Sequence, residues 1–416
     1  MIRNKIIVFL LVFTLISITT ISMSQDVFGE GEVVVTESSL EVVETEAPVE
    51  ENSEIKDLDL GILAKSAVLL DANSGKFLYE QNSHEQLPPA SITKIMTMLL
   101  AMEAIERGQI SLEDEVTISQ RAASMGGSQM YMEQGETQTV ETLLKGMAIG
   151  SANDACVACA EYVAGTEQMF VEMMNKRAKE LGMKDTNFVN TNGLPAENHY
   201  TSAYDIGIMS RELLKHDKVF DWLTTWQTTV LVGLENKGQT EFGLTNTNRL
   251  IKLYPGANGI KTGFTQEAGY CLAGSALRND LTLIAVVLNC ETTHDRWNET
   301  MRLLDYGYAT YESAKLAEKG EILGSADVEK GSPSTVNSIA PEDIKLLVKK
   351  GEAGQITSTA ITFDKLKAPI NVGDQIGELI VFKGEEEIDR YPLVAEQSVD
   401  KVGIFEIYLR MLKTLN

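Results

Sequence analysis

A serine and a lysine three residues apart, Ser91 and Lys94, are the residues of this chain that are best placed to do chemistry. Two prolines, Pro88 and Pro89, come just before them, and a run rich in Met, Leu and Ala follows as far as Glu103. Proline is tolerated in the first turn of a helix but not in its interior. We therefore predict a helix that begins near Ser91, is apolar on nearly every side and lies buried at the centre of a domain.

The start of such a helix could activate the serine. The Ser91 hydroxyl would lie beside free backbone N–H groups and the positive end of the helix dipole, with the Lys94 amine one turn away on the same face. Burial disfavours the charged form of lysine, and a neutral amine beside a hydroxyl is a competent general base. Ser-x-x-Lys also occurs by chance, with the serine as a helix N-cap and the lysine in solvent, so the pair alone does not establish catalysis.

Two further segments place polar groups where a cleft could use them. Residues 150–155 carry Ser151 and Asn153 on a loop before a second apolar helix, although either residue could be an ordinary N-cap. Residues 259–265 contain Lys261 and Thr262, and the strand-like segments 269–276 and 281–289 follow. The glycines of segment 269–276 favour an edge strand that passes close to another part of the chain. The alternative is a plain hairpin with a surface lysine.

Ser-x-x-Lys, Ser-x-Asn and Lys-Thr-Gly, in this order, form the motif set of penicillin-binding proteins and class A β-lactamases. From about residue 58 to the C-terminus, the sequence strongly resembles the low-molecular-mass penicillin-binding proteins that are D-alanyl-D-alanine carboxypeptidases. The matching segments are residues 89–94, 150–155, 187–194, 199–205 and 259–265. The resemblance implies an α/β (α+β) penicillin-binding/β-lactamase-like transpeptidase fold, an antiparallel sheet flanked by helices, with a small β-sandwich-like C-terminal domain.

The resemblance also implies roles for single residues in acyl transfer. Ser91 would be the acylated nucleophile and Lys94 its base. Ser151 would bridge Lys94 and Lys261 and help pass a proton to the leaving D-alanine, and Asn153 would hold the substrate amide.

Other residues would recognise the end of the substrate. Lys261 and Thr262, followed by Gly263, would face its terminal carboxylate. The backbone N–H groups of Ser91 and Phe264 would form the oxyanion hole. Arg296 would also face the carboxylate, unless it is a surface residue on the last long helix.

The implied partners are a peptidoglycan pentapeptide that ends in D-Ala-D-Ala and β-lactam antibiotics. Two alternatives stay open: a β-lactamase, which must deacylate quickly, and a catalytically idle wall-binding scaffold. Class A β-lactamases use a glutamate and a water for deacylation, and no Glu-x-x-x-Asn element lies between Ser151 and Lys261. The intact motifs argue against an idle protein.

Composition excludes several other classes of function. With 36 Lys+Arg against 60 Asp+Glu, the net charge of -24 makes nucleic-acid binding implausible. The chain has 4 His and 4 Cys without zinc-ligand spacing, and no His lies inside a catalytic motif, so we expect no metal, no cofactor and no Ser-His-Asp triad.

The ends of the chain suggest an exported protein that stays at the membrane. We predict a signal peptide at residues 1–24, because a charged start and an apolar run are followed by small residues suited to signal-peptidase cleavage. An uncleaved membrane anchor is the alternative. An acidic disordered spacer, or alternatively an acidic docking tail, would follow at 25–57, then a catalytic domain at 58–314 and a β-rich domain at 315–398. The apolar spacing of residues 399–416 predicts an amphipathic helix at the outer face of the cytoplasmic membrane, or one docked on the β-domain.

The cysteines carry little functional signal. Cys156 and Cys159 have the spacing of a redox motif but lack its surrounding βαβ pattern, so buried small apolar residues are the better interpretation. Cys271 and Cys290 fall in or beside consecutive predicted strands, and whether they pair depends on a register that the sequence does not reveal.

Overall fold

The computed structural model describes residues 59–403. The predicted signal peptide and acidic spacer, up to residue 58, and the predicted anchor beyond residue 403 lie outside the described residues. No helix within residues 59–403 combines the length and the apolar character needed to cross a bilayer.

Helices and strands alternate irregularly through the first part of the described chain. Its helices are α1 (Lys94–Glu106), α2 (Gln120–Ala123), α3 (Val140–Lys145), α4 (Asn153–Ala164), α5 (Glu167–Glu180), α6 (Ala203–Leu213), α7 (Phe220–Leu223), α8 (Leu250–Leu253) and α9 (Thr293–Thr310). Its strands are β1 (Ser66–Asp71), β2 (Phe77–Gln81), β3 (Glu115–Thr117), β4 (Thr137–Thr139), β5 (Gln227–Val232), β6 (Thr240–Thr245), β7 (Ala257–Thr265), β8 (Gly269–Arg278) and β9 (Leu281–Cys290).

A five-stranded antiparallel sheet with the order β2-β1-β9-β8-β7 organises this part of the molecule. The hairpin predicted from residues 66–80 is confirmed as the β1–β2 pair. The edge assignment made from sequence was wrong, because β8, residues 269–278, pairs on both sides, whereas β7, which carries Lys261, lies at one edge of the sheet. Strand order depends on which segments pair across the sheet, and the glycine pattern of one segment does not reveal that.

Apolar cores lie on both faces of the sheet. On β9, Ile284 and Val286 belong to the core that contains α1, whereas Leu283 and Val287 belong to the core that contains Leu303 of α9. A strand buried on both faces must be apolar at successive positions, as the sequence of β9 is. The predicted antiparallel sheet flanked by helices is thus confirmed.

Helix α1 lies in the interior of the larger core. Every residue from Lys94 to Met102 is buried, as its uniformly apolar sequence predicted. A short 3₁₀ turn, Ala90–Thr93, leads directly into α1 and carries Ser91. We call this turn the nucleophile turn.

Strand β7 passes very close to the nucleophile turn. A Cβ atom placed on Gly263 would lie 2.9 Å from the carbonyl oxygen of Pro89 and 3.2 Å from the Cβ of Ala90. The absence of a side chain at Gly263 therefore sets the spacing between the sheet edge and Ser91.

The remainder of the described chain consists almost entirely of strands, and it confirms the predicted small β-rich C-terminal domain. The strands are β10 (Tyr311–Ala317), β11 (Ile322–Glu329), β12 (Gly331–Ser332), β13 (Thr335–Ile339), β14 (Ile344–Lys349), β15 (Ile356–Thr362), β16 (Leu366–Lys367), β17 (Gln375–Lys383), β18 (Glu386–Ala395) and β19 (Asp400–Lys401). Six of them form one sheet of order β15-β17-β18-β13-β11-β16. Ile344, in the β10–β14 pair, packs with Leu379 and Leu393 of that sheet, so two layers enclose a small core.

The described beginning of the predicted anchor, residues 399–403, is part of this β-domain and is not helical. Asp400–Lys401 pairs with β12, and Val399 and Val402 are buried. A 3.6-residue apolar spacing had placed Val402 on a membrane-facing stripe, but contacts within the β-domain bury it.

We expect Gly263→Ala to destabilise the protein, because the new methyl group would meet the Pro89 carbonyl, which belongs to the backbone and cannot rotate away. Overpacking of this kind costs about 1–3 kcal/mol. Urea unfolding measures the loss, and Gly243→Ala in β6 is the matched control, since nothing lies within 4 Å of its new Cβ. Equal stability of the two variants would show that the close approach of β7 is unimportant.

Candidate active site

The nucleophile turn exposes Ser91 and buries Lys94. Ser91 is partly exposed, whereas Lys94, the first residue of α1, is 0% exposed. Their side chains lie on the same side of the helix start, with Lys94 Nζ 2.9 Å from Ser91 Oγ. A nucleophile and a base within hydrogen-bond distance are the minimum requirement for an activated serine.

The Lys94 amine is surrounded by neutral oxygen atoms. It lies 2.7 Å from Asn153 Oδ1 and 2.7 Å from the backbone carbonyl oxygen of Asn192. Burial lowers the pKa of Lys94 to about 8, and the nearby Cys156 and Asp154 only partly oppose the effect. Near neutral pH about a tenth of an amine with this pKa is neutral and can accept a proton, a far larger fraction than for an ordinary lysine.

Asn153 connects the base to a neighbouring loop. Its Nδ2 donates to the Gly126 carbonyl at 2.7 Å, while its Oδ1 accepts from Lys94. The next residue, Asp154, holds the same loop by accepting from the backbone N–H groups of Met130 and Met132. In this structure Asn153 therefore positions Lys94, a role that the sequence motif alone did not indicate.

Ser151 lies nearby in an unusual backbone conformation. It follows a π-helical turn, Gly146–Gly150, and has a left-handed φ of 61°. Its side chain is buried, yet its hydroxyl makes no hydrogen bond with any other residue in the range 59–403. The structure thus brings Ser91, Lys94 and Asn153 into one network and does not join Ser151 to Lys94 or to Lys261.

Lys261 and Thr262 reach the site from the edge strand β7. Lys261 is 1% exposed, and its amine lies 3.2 Å from the carbonyl oxygen of Thr262. The Thr262 hydroxyl is held at 2.9 Å by that of Thr247. Phe264, two residues further on, is 51% exposed and stacks on Tyr270, with ring centroids 4.3 Å apart.

Arg296 lies in the first turn of α9 and is buried. Its Nη1 donates to the Gly263 carbonyl at 3.3 Å, and its guanidinium lies over the rings of Trp297 and Tyr270, at 4.4 and 5.4 Å from their centroids. The alternative of a surface residue was therefore wrong. The long apolar stem and planar head let arginine pack between aromatic rings, and sequence does not reveal such packing.

The site combines three buried basic side chains without a carboxylate partner. Among residues 59–403, no Asp or Glu oxygen lies within 4.0 Å of the nitrogen atoms of Lys94, Lys261 or Arg296. Burial lowers the pKa of Lys261 well below its usual range, and Lys94 and Arg296 lower it further. Such an arrangement favours an anionic ligand, which would supply the missing negative charge.

Several contacts were not foreseen from the sequence. Asn192 touches Lys94 through its backbone carbonyl, and Gly193 packs so closely that a Cβ there would lie 1.7 Å from the Ala90 carbonyl oxygen. Tyr270 and Thr247 support Phe264 and Thr262. The family resemblance of residues 187–194 indicated that this loop matters. It did not reveal the contact of Asn192 with Lys94, because any residue can make that contact through its backbone carbonyl.

The four cysteines are buried and unpaired. Cys156 lies under the site, where its electrostatic interactions reach both Lys94 and Lys261. Burial raises the pKa of the Cys156 and Cys159 thiols to about 12, so they remain protonated. The interpretation of this pair as small apolar residues agrees with their environment.

Comparisons with known proteins agree with this geometry. The family profile of D-alanyl-D-alanine carboxypeptidases matches residues 50–292, and that of the C-terminal domain of penicillin-binding protein 5 matches residues 311–401. D-alanyl-D-alanine carboxypeptidase DacF of Bacillus subtilis is 43% identical over 350 residues, which are 84% of this chain and 89% of the relative. DacC of Escherichia coli is 33% identical over 350 residues, or 82% of this chain and 86% of that protein.

Solved structures give the same result. Penicillin-binding protein 5 from Haemophilus influenzae superposes with a TM-score of 0.65 at 31% identity, over 82% of this chain and 98% of that one. A peptidoglycan synthesis regulatory factor from Streptococcus pneumoniae, PBP3, gives a TM-score of 0.64 at 30% identity, over 82% and 100% of the two chains. The chain therefore belongs to the serine D-alanyl-D-alanine carboxypeptidase family of penicillin-binding proteins.

Proposed function

We propose that the residues assembled around Ser91 remove the terminal D-alanine from peptidoglycan stem peptides through an acyl-enzyme. The observation that carries the proposal is the 2.9 Å contact between Ser91 Oγ and Lys94 Nζ, an amine whose pKa burial lowers to about 8. The motif set, the intact network and the named relatives all support the same reaction class.

In the first half of the reaction, the neutral Lys94 amine takes the Ser91 proton as Oγ attacks the carbonyl carbon of the penultimate D-alanine. The backbone N–H groups of Ser91 and Phe264 stabilise the oxyanion. Collapse of this intermediate breaks the peptide bond, and the leaving amine of D-alanine receives the proton that Lys94 took from Ser91, with the Ser151 hydroxyl as its relay, so Lys94 is neutral again. Ser151 is only 4% exposed, and its hydroxyl has no hydrogen-bond partner among residues 59–403, so it is available for this task.

In the second half, water attacks the ester on Ser91 and releases the shortened peptide. Lys94 accepts the proton of the water and returns it to Ser91 Oγ. β-Lactams acylate the same serine, and their ring opening leaves no departing group, so the ester persists. The loop next to Lys94, Asn190-Thr191-Asn192-Gly193, supplies a carbonyl rather than a carboxylate, which favours slow deacylation over β-lactamase turnover.

The terminal carboxylate of the substrate would bind beside Lys261, Thr262 and Arg296. Its charge would compensate cations that have no acidic partner among residues 59–403. It would also raise the pKa of Lys261 and so favour the charged form of that amine. A free C-terminus is thereby required, which makes the enzyme a carboxypeptidase.

The proposed place of work is the outer face of the cytoplasmic membrane. The charged and apolar N-terminal pattern supports export, and the apolar spacing of residues 404–416 supports attachment at the membrane interface. The acidic spacer and the β-domain would then hold the catalytic domain away from the lipid surface.

Purified protein should release D-alanine steadily from a peptide that ends in D-Ala-D-Ala and should turn over a chromogenic cephalosporin slowly. Ser91→Ala should abolish both activities, because no other nucleophile among residues 59–403 contacts Lys94. Rapid cephalosporin turnover without D-alanine release would indicate a β-lactamase. Neither activity in the wild-type protein would indicate a catalytically idle scaffold.

The rate of acylation should depend on pH through Lys94. The base works only when it is neutral, so the rate should rise with pH and level off above about 8, where the pKa of Lys94 lies. Lys94→Arg should lower the rate by about 10²–10⁴-fold and remove this pH dependence, because a guanidinium is never deprotonated. A wild-type profile that is flat between pH 6 and 9 would contradict the role of Lys94.

Arg296→Gln should raise the KM for a peptide with a free C-terminal carboxylate by about tenfold, which corresponds to the loss of one charge-assisted contact. The KM for the same peptide with a C-terminal amide should change little, since that substrate carries no negative charge. Equal changes in KM for both peptides would mean that Arg296 only supports β7 through the Gly263 carbonyl.

A further inference from the structure

A buried histidine, His199, lies behind the nucleophile turn. It is 6% exposed, and both ring nitrogens have partners: the backbone N of Val189 lies 2.9 Å from Nδ1, and Thr93 Oγ1 lies 2.8 Å from Nε2. A backbone N–H can only donate, so Nδ1 must be the acceptor and the ring proton must sit on Nε2. Burial lowers the pKa of His199 to about 4, which keeps the ring in this neutral form.

The direction of the next hydrogen bonds follows from this tautomer. His199 Nε2–H donates to the Thr93 hydroxyl, and that hydroxyl in turn donates to the Ala90 carbonyl oxygen at 2.9 Å. Thr93 and Ala90 are 0% and 1% exposed, so water does not compete for these bonds. The result is a directional chain from the imidazole to one backbone carbonyl.

That carbonyl belongs to the peptide group that contains the Ser91 N–H. The peptide between Ala90 and Ser91 is trans, so its carbonyl and its N–H point in opposite directions in one rigid plane. Fixing the carbonyl oxygen on the side of His199 directs the N–H to the other side. A hydrogen bond accepted by the carbonyl also polarises the amide and makes its N–H a stronger donor.

We propose that His199 is a positioning residue for the oxyanion site, acting through Thr93 on the peptide between Ala90 and Ser91. The inference rests on the proposed function, in which the Ser91 N–H stabilises the oxyanion. His199 is not an acid or a base in this reaction, because both of its nitrogens are already committed to hydrogen bonds.

The backbone around this peptide needs such support. Ala90 has a φ of 48°, in the left-handed region that non-glycine residues adopt at an energetic cost. Gly193 covers its carbonyl so tightly that a Cβ there would lie 1.7 Å from the oxygen and 2.9 Å from Thr93 Oγ1. The Thr93 hydroxyl is therefore the donor that fits into this enclosed space.

The two amide isosteres of histidine separate positioning from simple packing. In His199→Asn, the side-chain oxygen replaces Nδ1 and keeps the Val189 contact but loses the donor to Thr93. In His199→Gln, the side-chain nitrogen replaces Nε2 and keeps that donor. Each variant loses one buried hydrogen bond, so we expect similar losses of thermal stability.

Their kinetics should differ. His199→Asn should lower kcat for D-alanine release, and the rate of acylation by penicillin, by about tenfold, with KM within about threefold of wild type. That loss is smaller than the 10²–10³-fold cost of deleting an oxyanion donor, because the Ser91 N–H is misdirected rather than removed. His199→Gln should restore most of the rate.

Thr93, the middle member of this chain of hydrogen bonds, provides a second test of it. Thr93→Val removes the hydroxyl and should reproduce the rate loss of His199→Asn, while Thr93→Ser should keep the wild-type rate. The double variant His199→Asn/Thr93→Val should be no slower than either single variant, since both break one chain of hydrogen bonds.

His216→Asn is the matched control, because it also replaces a buried histidine but lies away from the nucleophile turn. His216 is 7% exposed, and its Nδ1 lies 2.7 Å from Glu106 Oε1, at the far end of α1 from Ser91. Its loss should lower thermal stability and leave kcat unchanged.

A wild-type rate in His199→Asn or in Thr93→Val would overturn the proposal, as would equal rate losses in the Asn and Gln variants at position 199. Acylation by penicillin uses the same oxyanion site without needing D-alanine release. If the wild-type protein is acylated but releases no D-alanine, the proposed function fails, and the comparison of acylation rates still decides the role of His199.

Discussion

The burial of one amine constrains most of the active site. In the proposed reaction Lys94 must lose its positive charge to act as a base, and desolvation is the largest effect that lowers its pKa. A carboxylate nearby would restore the charge, so the amine has to be held by neutral groups. The Asn153 amide and the Asn192 carbonyl meet this requirement.

This requirement explains why the surrounding elements are so tightly packed. Helix α1 has to be apolar all round, since it carries Lys94 into the larger core. The loop with Asn192 can offer its carbonyl only because Gly193 lets the backbone lie against Ala90. On the opposite side, Gly263 lets β7 approach the same turn, so two glycines bring a loop and a sheet edge to the nucleophile.

Features that depend on local sequence could be predicted, and features that depend on contacts between distant segments could not. The buried helix, the β1–β2 hairpin and the catalytic motifs could be predicted, because local periodicity or residue type encodes them. The edge position of β7 could not, because pairing partners distant in the chain determine strand order. The sequence left Arg296 open between substrate binding and the surface, and missed the contact of Asn192, for a related reason: aromatic packing buries Arg296, and Asn192 acts through a carbonyl that every residue has.

The site contains basic side chains, although the net charge of the whole chain is -24. Surface carboxylates act mostly through screened solvent, whereas Lys94, Lys261 and Arg296 are buried together where the dielectric constant is low. Burial, and then the nearby Lys94 and Arg296, lower the pKa of Lys261, so a positive charge on its amine is costly without a counter-ion. In the proposed function, a substrate carboxylate would remove that cost as it binds, whereas a peptide without one would not. Selectivity for a free C-terminus would then arise from the cost of a buried positive charge as much as from contacts made to the ligand.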